Sequence, residues 1–261
     1  MPQQVIVNAD DFGLSGNENA VILRAFQTGM ISSATIMANM PAFTAACVLA
    51  QQPLLQGRIG LHFNLTYGRP LSAPILAQPM FCNRDGEFDL SLPRHQLWLG
   101  RQARQAVRAE LEAQWQRCLD HGLVPSHLDS HQHVHNIWPI GEIVARFAAE
   151  KGVAVRLARN IGHNIGPAKR VFKTLLNRRL RQLCGATAVY VCTPADLRTI
   201  APPAHGLLEV VAHPSRLGAD FGDAYLKSGE SLQTLLDQRL SDVPRVGYDV
   251  LARGKRLADV S

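Results

Sequence analysis

Carboxylates and imidazoles lie within or shortly after several short apolar segments of this sequence. Asp10 and Asp11 come shortly after the mostly apolar segment 5–8, and His62 lies within the mostly apolar segment 59–65. One carboxylate and two imidazoles that face a common position suit a divalent metal ion, which polarises a carbonyl and acidifies water. A second aspartate then remains free as a base. Simpler interpretations exist, since aspartates cap helices and a lone strand histidine is commonly a core residue.

A histidine cluster further along the chain is harder to explain as core packing. Its chemistry-bearing members are His127, Asp129, His131, His133 and His135. Metal binding is the commonest joint use of several imidazoles, although alternate positions could face solvent and only one or two need be ligands. His213 follows another apolar segment, at 208–212, and directly precedes Pro214. It would donate a proton to a departing amine or serve as a turn residue.

The spacing of apolar residues predicts the elements that must position these side chains. Short apolar segments, typical of strands, alternate with longer segments of helical period. Strands are predicted at residues 5–8, 34–38, 59–65, 127–129, 153–157, 188–192 and 208–212, and helices at residues 17–28, 42–51, 101–121, 137–151, 169–183 and 232–241. Repeated βα units favour one α/β domain with a mostly parallel sheet, open or closed into a (β/α) barrel. The polar side chains at the strand ends are then expected to meet at one edge of the sheet.

The segment 66–100 interrupts this alternation. It contains four prolines and an Asp-Gly turn signal, and it shows little periodicity. A long irregular segment inside a compact domain is more often a functional lid than a linker. Its aromatic residues Phe81, Phe88 and Trp98 would overhang the metal site, or would pack the segment onto the barrel.

Composition excludes several classes of protein. The chain has 261 residues, of which 46% are hydrophobic and 18% charged, and this usage excludes a disordered chain. No window approaches the roughly 18 apolar residues of a membrane span, and the N-terminus lacks signal-peptide features, so a cytoplasmic protein is expected. The five cysteines are scattered without a Cys-x-x-Cys pair, which predicts reduced, mostly buried thiols rather than disulfides or a zinc ribbon.

The net charge of +6 is concentrated in one region. Residues 151–195 contain nine basic side chains and no acid, so the rest of the chain carries a net charge of −3. Few aromatic residues lie among the basic ones and no binding motif is present, so no nucleic-acid partner is expected. Within a basic helical segment, 160–186, the relevant residues are Lys169, Arg170, Lys173, Arg178, Arg179 and Arg181. In one interpretation they form the solvated face of a packed helix. In the other they form a surface for an anionic or membrane-linked substrate, and the protein would then lie peripherally on the inner face of the membrane.

Four motifs occur in order along the chain. They are Val-Asn-Ala-Asp-Asp-Phe-Gly-Leu-Ser at 7–15, Gly-Leu-His-Phe-Asn-Leu-Thr at 60–66, Pro-Ser-His-Leu-Asp-Ser-His-Gln-His-Val-His at 125–135 and Glu-Val-Val-Ala-His-Pro at 209–214. Together they closely resemble the YdjC-like carbohydrate deacetylases. The resemblance implies a single-domain distorted (β/α) barrel over residues 1–261. It also implies hydrolytic release of acetate from an N-acetylated sugar, either an oligosaccharide or a glycolipid-type substrate.

The resemblance implies roles for five residues as well. The metal ligands would be Asp11, His62 and His131, the base that activates water would be Asp10, and the general acid would be His213. The family's metal is described as magnesium or zinc. Two imidazoles with one carboxylate suit zinc better than magnesium, which prefers oxygen ligands and retained waters.

Four further residues have roles that the resemblance leaves open. Arg156 would orient the base or a substrate oxygen, with a solvated surface arginine as the alternative. His133, His135 and Asp129 would contact the sugar or support the metal ligands.

Two other functions stay open at this point. One is a different barrel hydrolase with a metal ion, such as an amidohydrolase of non-sugar amides or a phosphoesterase. Amidohydrolases place His-x-His on the first strand, whereas this first strand ends in two aspartates. The other is a non-catalytic sugar-binding protein, although every candidate catalytic position holds a competent residue. The sequence also leaves a homodimer open.

Overall fold

The computed structural model describes residues 1–162, 164–185 and 190–251. Seven strands form one parallel sheet: β1 (Gln4–Phe12), β2 (Ser33–Ile36), β3 (Ile59–Phe63), β4 (His127–Ser130), β5 (Ala154–Val155), β6 (Tyr190–Cys192) and β7 (Leu207–Ala212). Their order across the sheet is β5-β4-β3-β2-β1-β7-β6. The predicted α/β class with parallel strands is therefore confirmed. The beginning of the strand predicted at 188–192, and residues 163 and 186 of the basic segment, lie outside the described residues.

The sheet curls into an incompletely closed barrel whose edge strands are β5 and β6. The chain that leaves β5 reaches across to β6, because the backbone amides of Asn160 and Ile161 both donate to the Val191 carbonyl at 3.2 Å. The side chain of Asn160 accepts the Val191 amide at 2.9 Å. Hydrogen bonds made by the loop after β5 thus span the gap between the two edge strands. A barrel closed in this place by a loop instead of strand pairing is distorted, as expected.

Eight α-helices are described around the sheet. They are α1 (Gly16–Gln27), α2 (Phe43–Ala50), α3 (Ala73–Leu76), α4 (Arg101–Asp120), α5 (Trp138–Lys151), α6 (Pro167–Cys184), α7 (Pro194–Thr199) and α8 (Leu232–Leu240). Six of them coincide with the predicted helices within a few residues. None of the helices that the structure describes combines the length and apolar content needed to cross a bilayer. All five cysteines are buried and none of them forms a disulfide within the described residues, as predicted.

Several short elements were not predicted. The short helix α7 begins with a capping box between Thr193 and Asp196, with Pro194 in its first turn. This Thr-Pro-x-Asp pattern was a usable signal. The helix α3 and the two strands of an antiparallel hairpin, β8 (Pro214–Leu217) and β9 (Asp220–Asp223), have only four residues each, which is too few to show a period.

The segment after α8 covers the sheet at the amino ends of the strands. The Val5 amide donates to the Pro244 carbonyl at 3.0 Å, and the Val246 amide donates to the Val5 carbonyl at 2.9 Å. Tyr248 packs beside Ile6 in a small buried cluster. The C-terminal part of the described chain is therefore tied to the first strand.

Two of the three aromatic residues that were expected to overhang the metal site are part of the core instead. Phe81 and Phe88 are buried in the main core. Trp98 is 72% exposed and lines a groove with residues of α4 and α5, such as Arg104 and Ile143. The expectation that these rings cover the metal is wrong for Phe81 and Phe88. Burial in the core removes more of the surface of an apolar ring from water than a place over an open site would.

Two polar residues of α4 fix the chain that leaves β3. Gln114 exchanges hydrogen bonds with the Asn64 backbone, accepting its amide at 3.0 Å and donating to its carbonyl at 2.8 Å. The Glu110 carboxylate accepts the amides of Leu71 at 3.0 Å and Ser72 at 2.7 Å. A buried carboxylate that satisfies several donors therefore holds the beginning of segment 66–100.

Replacing Glu110 by alanine should destabilise the fold. Glu110→Ala leaves the partly buried amides of Leu71 and Ser72 without their acceptor, so the free energy of unfolding should fall by about 2–4 kcal/mol. Glu112 lies on the same helix and makes only surface ion pairs, so Glu112→Ala should cost less than about 1 kcal/mol. Urea denaturation measures both variants. Equal losses would contradict the assigned role of Glu110.

Candidate active site

The end of β1 carries a strained aspartate. Asp11 has a φ of 70°, in the left-handed region that residues other than glycine seldom adopt. The pairing register of β1 with β2 shifts between Ala9 and Phe12, so the strand bulges at this point. Strained residues of this kind concentrate at functional sites, and here the bulge lets two consecutive aspartates face the same edge of the sheet.

Three predicted metal ligands meet there. Asp11 Oδ1 lies 2.9 Å from His131 Nδ1 and 3.3 Å from His62 Nε2. One ligand atom from each of the three residues lies within 4.8 Å of the others. His62 comes from β3, and His131 begins the 3-10 turn that follows β4. The parallel sheet thus brings together side chains that are distant in sequence, as the strand-end argument predicted.

His62 presents one ring nitrogen to this cluster. Its Nδ1 lies 2.6 Å from Asp129 Oδ1, and Asp129 Oδ2 accepts the Thr35 hydroxyl at 3.0 Å. His62 Nε2 is buried and has no hydrogen-bond partner in the described part of the chain. A buried ring nitrogen that lacks a partner and faces a carboxylate and a second imidazole fits a cation ligand. Burial lowers the pKa of His62, but the carboxylates of Asp129 and Asp10 outweigh it and raise that pKa to about 10.

A second acidic group shares His62 but is less suited to a cation. It consists of Asp10, His62 and Asp129, all buried. Arg156 already bonds both of these carboxylates, and Asp129 already holds the opposite ring nitrogen of His62. The cluster of Asp11, His62 and His131, called the Asp11 cluster below, is also the more accessible one, since the Asp11 side chain is 15% exposed. A cation is therefore better accommodated by the Asp11 cluster.

A buried arginine donates two hydrogen bonds to Asp10. Arg156 Nη1 donates to Asp10 Oδ2 at 2.8 Å, and Arg156 Nη2 donates to Asp10 Oδ1 at 2.7 Å. The arginine side chain is 1% exposed, so the alternative of a solvated surface residue is wrong. Burial raises the pKa of Asp10, but Arg156 and the neighbouring histidines hold it well below its usual range. Asp10 is thus an ionised carboxylate of fixed orientation.

Arg156 contacts two more carboxylates. Its Nη1 lies 2.6 Å from Asp129 Oδ2, and its Nε donates to Glu209 Oε1 at 2.6 Å. One guanidinium therefore connects Asp10 to Asp129, the residue that orients His62. Glu209 was missed in the sequence, although a lone acid inside the apolar strand β7 was a usable signal, since such a residue is buried only with a partner.

His213 faces both aspartates from the loop between β7 and β8. Its Nε2 lies 3.8 Å from Asp10 Oδ2 and 3.8 Å from Asp11 Oδ2. Its backbone amide donates to Asp223 Oδ2 at 2.6 Å, and its ring packs edge-on against Tyr225 at 5.1 Å. Asp223 and Tyr225 were missed, because they follow from the hairpin that the sequence did not predict.

The other histidines of the cluster occupy different environments. His135 is buried and its Nδ1 lies 2.5 Å from the Ser130 hydroxyl, so this ring nitrogen supports the turn. Gln132 and His133 have left-handed φ values of 47° and 54°. Arg94, from segment 66–100, donates to the Gln132 carbonyl at 2.7 Å and so braces this strained turn.

Two cavities open on either side of His133. One, of about 500 Å³, is lined among others by Arg159, Thr193 and Tyr225. The other, of about 560 Å³, is lined among others by Arg94, His95, Lys169 and Phe172. Both also border His133, Asn136 and Lys173. Burial lowers the pKa of His133 to about 3, so its ring is neutral and can both donate and accept hydrogen bonds.

This combination of fold and site is typical of barrel hydrolases that use a metal ion. A family model described as YdjC-like protein matches residues 4–243. The chain belongs to the YdjC-like family, and the resemblance inferred from its four motifs is confirmed.

Curated relatives carry sugar deacetylase names. A carbohydrate deacetylase of Geobacillus stearothermophilus is 46% identical over 56% of this chain and 57% of its own length. A chitooligosaccharide deacetylase of Klebsiella pneumoniae is 41% identical, over 64% of each chain. This chain thus spans less than two thirds of either relative. Another chitooligosaccharide deacetylase, from Salmonella paratyphi B, is 34% identical over 82% of each chain.

Two solved structures share the fold. A protein from Enterococcus faecalis, whose name refers to cellobiose-phosphate cleavage, has a TM-score of 0.69 at 18% identity and covers 96% of this chain and 99% of its own. A lactam utilization protein from Thermus thermophilus has a TM-score of 0.52 at 12% identity, over 94% of this chain and 100% of its own. At such identities these likenesses describe the fold alone.

Removing either histidine of the Asp11 cluster should abolish metal binding. His62→Ala and His131→Ala each delete one of three ligands, so bound metal should fall below about a tenth of the wild-type content. Metal content is measured by mass spectrometry after dialysis against zinc and gel filtration. His205 is exposed and precedes β7, at the opposite end of that strand from His213, so His205→Ala serves as the control. Full occupancy in both ligand variants would contradict the assignment.

Proposed function

We propose that this protein is a metal-dependent carbohydrate deacetylase that hydrolyses the acetamide of an N-acetylated sugar and releases acetate. The observation that carries the proposal is the cluster of Asp11, His62 and His131, flanked by an ionised Asp10 and by His213. Membership of the YdjC-like family, whose relatives are named sugar deacetylases, supports the same reaction.

Asp11, His62 and His131 would hold the cation. When bound, a divalent ion supplies Lewis acidity, because it polarises the amide carbonyl and acidifies water. A set of two imidazoles and one carboxylate favours zinc or a similar transition ion over magnesium. His62 is already oriented for this task by Asp129, which holds its Nδ1 and leaves Nε2 facing the cluster.

Asp10 would take the proton of the attacking water. Its Oδ2 faces the cluster, at 4.0 Å from His62 Nε2 and 3.8 Å from His213 Nε2, whereas its Oδ1 faces Asn8. Arg156 keeps the carboxylate ionised and fixes both oxygens, so the base needs no reorientation before the reaction. The role of Arg156 is therefore to position the base rather than to contact the sugar.

His213 would supply the proton for the departing nitrogen. Water adds to the carbonyl carbon, the carbon–nitrogen bond breaks, and the nitrogen leaves as the free amine of the sugar with acetate as the second product. His213 Nε2 lies beside both aspartates and its side chain is 23% exposed, so it lies at the boundary between the cluster and solvent. A proton donor in this place can reach the amine of a bound sugar.

The two cavities beside His133 would hold the rest of the sugar substrate. His133 and Asn136 offer neutral hydrogen-bonding groups, and Phe172 offers an aromatic face. Arg94 and His95 bring segment 66–100 to one of these cavities, which supports its proposed role as a lid. Basic residues of both cavities, including Lys169 and Lys173, favour a substrate that carries an anionic group.

Substitution of the proposed base and acid should separate chemistry from metal binding. Asp10→Asn and His213→Ala should each keep the metal and lose at least about 10²-fold in kcat, because proton transfer typically contributes 10²–10⁴-fold. Acetate release from N-acetylated oligosaccharides, measured with a coupled assay, gives the rate. The controls are Asp120→Asn and His205→Ala, which change exposed residues away from the site. Near-normal kcat in Asp10→Asn or His213→Ala would contradict its role, and release of ammonia or phosphate instead of acetate would contradict the reaction.

We further propose that the exposed face of α6 attracts an anionic, membrane-linked substrate and places the protein peripherally at an acidic bilayer. Lys169, Arg170 and Arg178 are exposed, and Val171 and Leu175 on the same helix are 61% and 50% exposed. Arg179 instead pairs with Glu142 at 2.7 Å, and Lys173 donates to the Arg159 carbonyl at 2.9 Å. An exposed face that combines basic and apolar side chains is typical of helices that lie on anionic membranes.

This surface predicts salt-sensitive binding to vesicles. Wild type should co-sediment with phosphatidylglycerol vesicles at low salt and dissociate at high salt, since each basic residue near the bilayer contributes about 1 kcal/mol. Changing Lys169, Arg170 and Arg178 to Gln should reduce binding at least about tenfold. A control that changes the exposed Arg58, Arg84 and Arg216 to Gln keeps the same net charge. The proposal fails if wild type ignores anionic vesicles or if both triple variants lose binding equally.

A further inference from the structure

A packed hairpin follows His213 in the chain. Its strands β8 and β9 pair antiparallel, and the pair of Pro214 with Asp223 lies at the open end of the hairpin, next to His213. Phe221 of β9 is buried in the main core, and the guanidinium of Arg24 from α1 lies over its ring at 4.8 Å. The hairpin is therefore packed firmly against the rest of the fold.

One carboxylate of this hairpin fixes the backbone of His213. Asp223 is 6% exposed, and its Oδ2 accepts the backbone amide of His213 at 2.6 Å. The His213 carbonyl in turn accepts the Ala224 amide at 3.3 Å. Pro214 also disfavours a helical conformation of the residue before it. Both polar backbone groups of His213 are thus bound to consecutive residues at the end of β9 and just after it.

The His213 ring depends on this backbone for its position. Its Nδ1 is buried and has no hydrogen-bond partner within the described residues, so that nitrogen does not orient the ring. The ring of Tyr225 packs edge-on against it with the centroids 5.1 Å apart, and the Tyr225 amide donates to Asp223 Oδ1 at 2.8 Å. One oxygen of Asp223 therefore holds the amide of the histidine, and the other oxygen holds the amide of the tyrosine that flanks it.

We infer that Asp223 is a positioning residue for the reaction, because it places the His213 ring beside the two aspartates through the backbone of the hairpin. The inference rests on the proposed role of His213 as the acid. Its Nε2 lies 3.8 Å from Asp10 Oδ2 and from Asp11 Oδ2, and a displacement of about 1 Å in such a group can cost about 10²-fold in rate. Loss of the Asp223 carboxylate releases both amides and lets the ring shift, while the metal ligands lie on other elements and keep their places.

Substitution of Asp223 should slow the reaction without removing the metal. Asp223→Ala removes both acceptors and should lower kcat at least about tenfold, with the metal content of wild type. Asp223→Asn keeps the size of the side chain but can accept only one of the two amides, so its kcat should lie between the other two. Asp220 lies at the other end of β9 and accepts the neighbouring Phe221 amide at 2.7 Å. Asp220→Ala is therefore the matched control and should keep the wild-type kcat.

A double-mutant cycle separates this role from a contribution to stability alone. A residue that only stabilises the hairpin would lower kcat by the same factor in any background, whereas Asp223→Ala should cost little further in a His213→Ala background. Rates are measured as acetate release, well below the Tm of each variant. If Asp223→Ala shows no cooperative thermal transition, the cycle uses Asp223→Asn.

The possible outcomes distinguish the inference from the proposed function. The inference alone is overturned if every folded Asp223 variant stays within twofold of wild type, if Asp220→Ala loses as much kcat, or if metal is lost together with kcat. It is also overturned if His213→Ala is slow and the Asp223 substitution adds its full loss to it. Near-normal kcat of His213→Ala would instead overturn the assignment of the acid, and the inference with it.

Discussion

The buried guanidinium of Arg156 is the interaction on which the site depends. It bonds Asp10 through two nitrogens and also bonds Asp129 and Glu209. A charge removed from water in this way is tolerated only when it is fully paired, and truncating one partner of such a group typically costs about 3–5 kcal/mol. Its three carboxylate partners lie on three different strands. One side chain therefore fixes the spacing between the proposed base and the carboxylate that orients His62.

This arrangement leaves the centre with an excess of negative charge. Asp11 adds a fourth carboxylate beside the three that surround Arg156, and the four outnumber the two positive groups, the guanidinium and the His62 ring, whose pKa is raised to about 10. A divalent cation at the proposed site, where the imidazoles of His62 and His131 meet Asp11, would compensate that excess. The strained backbone at Asp11 agrees with this proposal, since it would let two neighbouring aspartates serve the guanidinium and the cation at once.

Sequence reasoning located the parts of this site that lie where strands end. Asp10, Asp11 and His62 could be placed together because a parallel sheet brings its carboxyl ends to one edge, and the alternation of elements was correct for the same reason. The buried residues that pack below these side chains could not be located from the sequence. Glu209 lies in the middle of a strand, and Tyr248 reaches the interior from the far end of the described chain, so no local period relates either residue to Asp10. Such contacts depend on closure of the barrel rather than on any one segment.

The central claim is that the cation belongs to the Asp11 cluster, directly above the carboxylates held by Arg156. Crystals soaked in zinc, with diffraction data collected on both sides of the zinc absorption edge, test it most directly. The account predicts one strong anomalous peak, bound by Asp11, His62 Nε2 and His131 at distances of about 2.0–2.2 Å. A peak held by Asp10 and Asp129 instead, with Arg156 displaced, would contradict it.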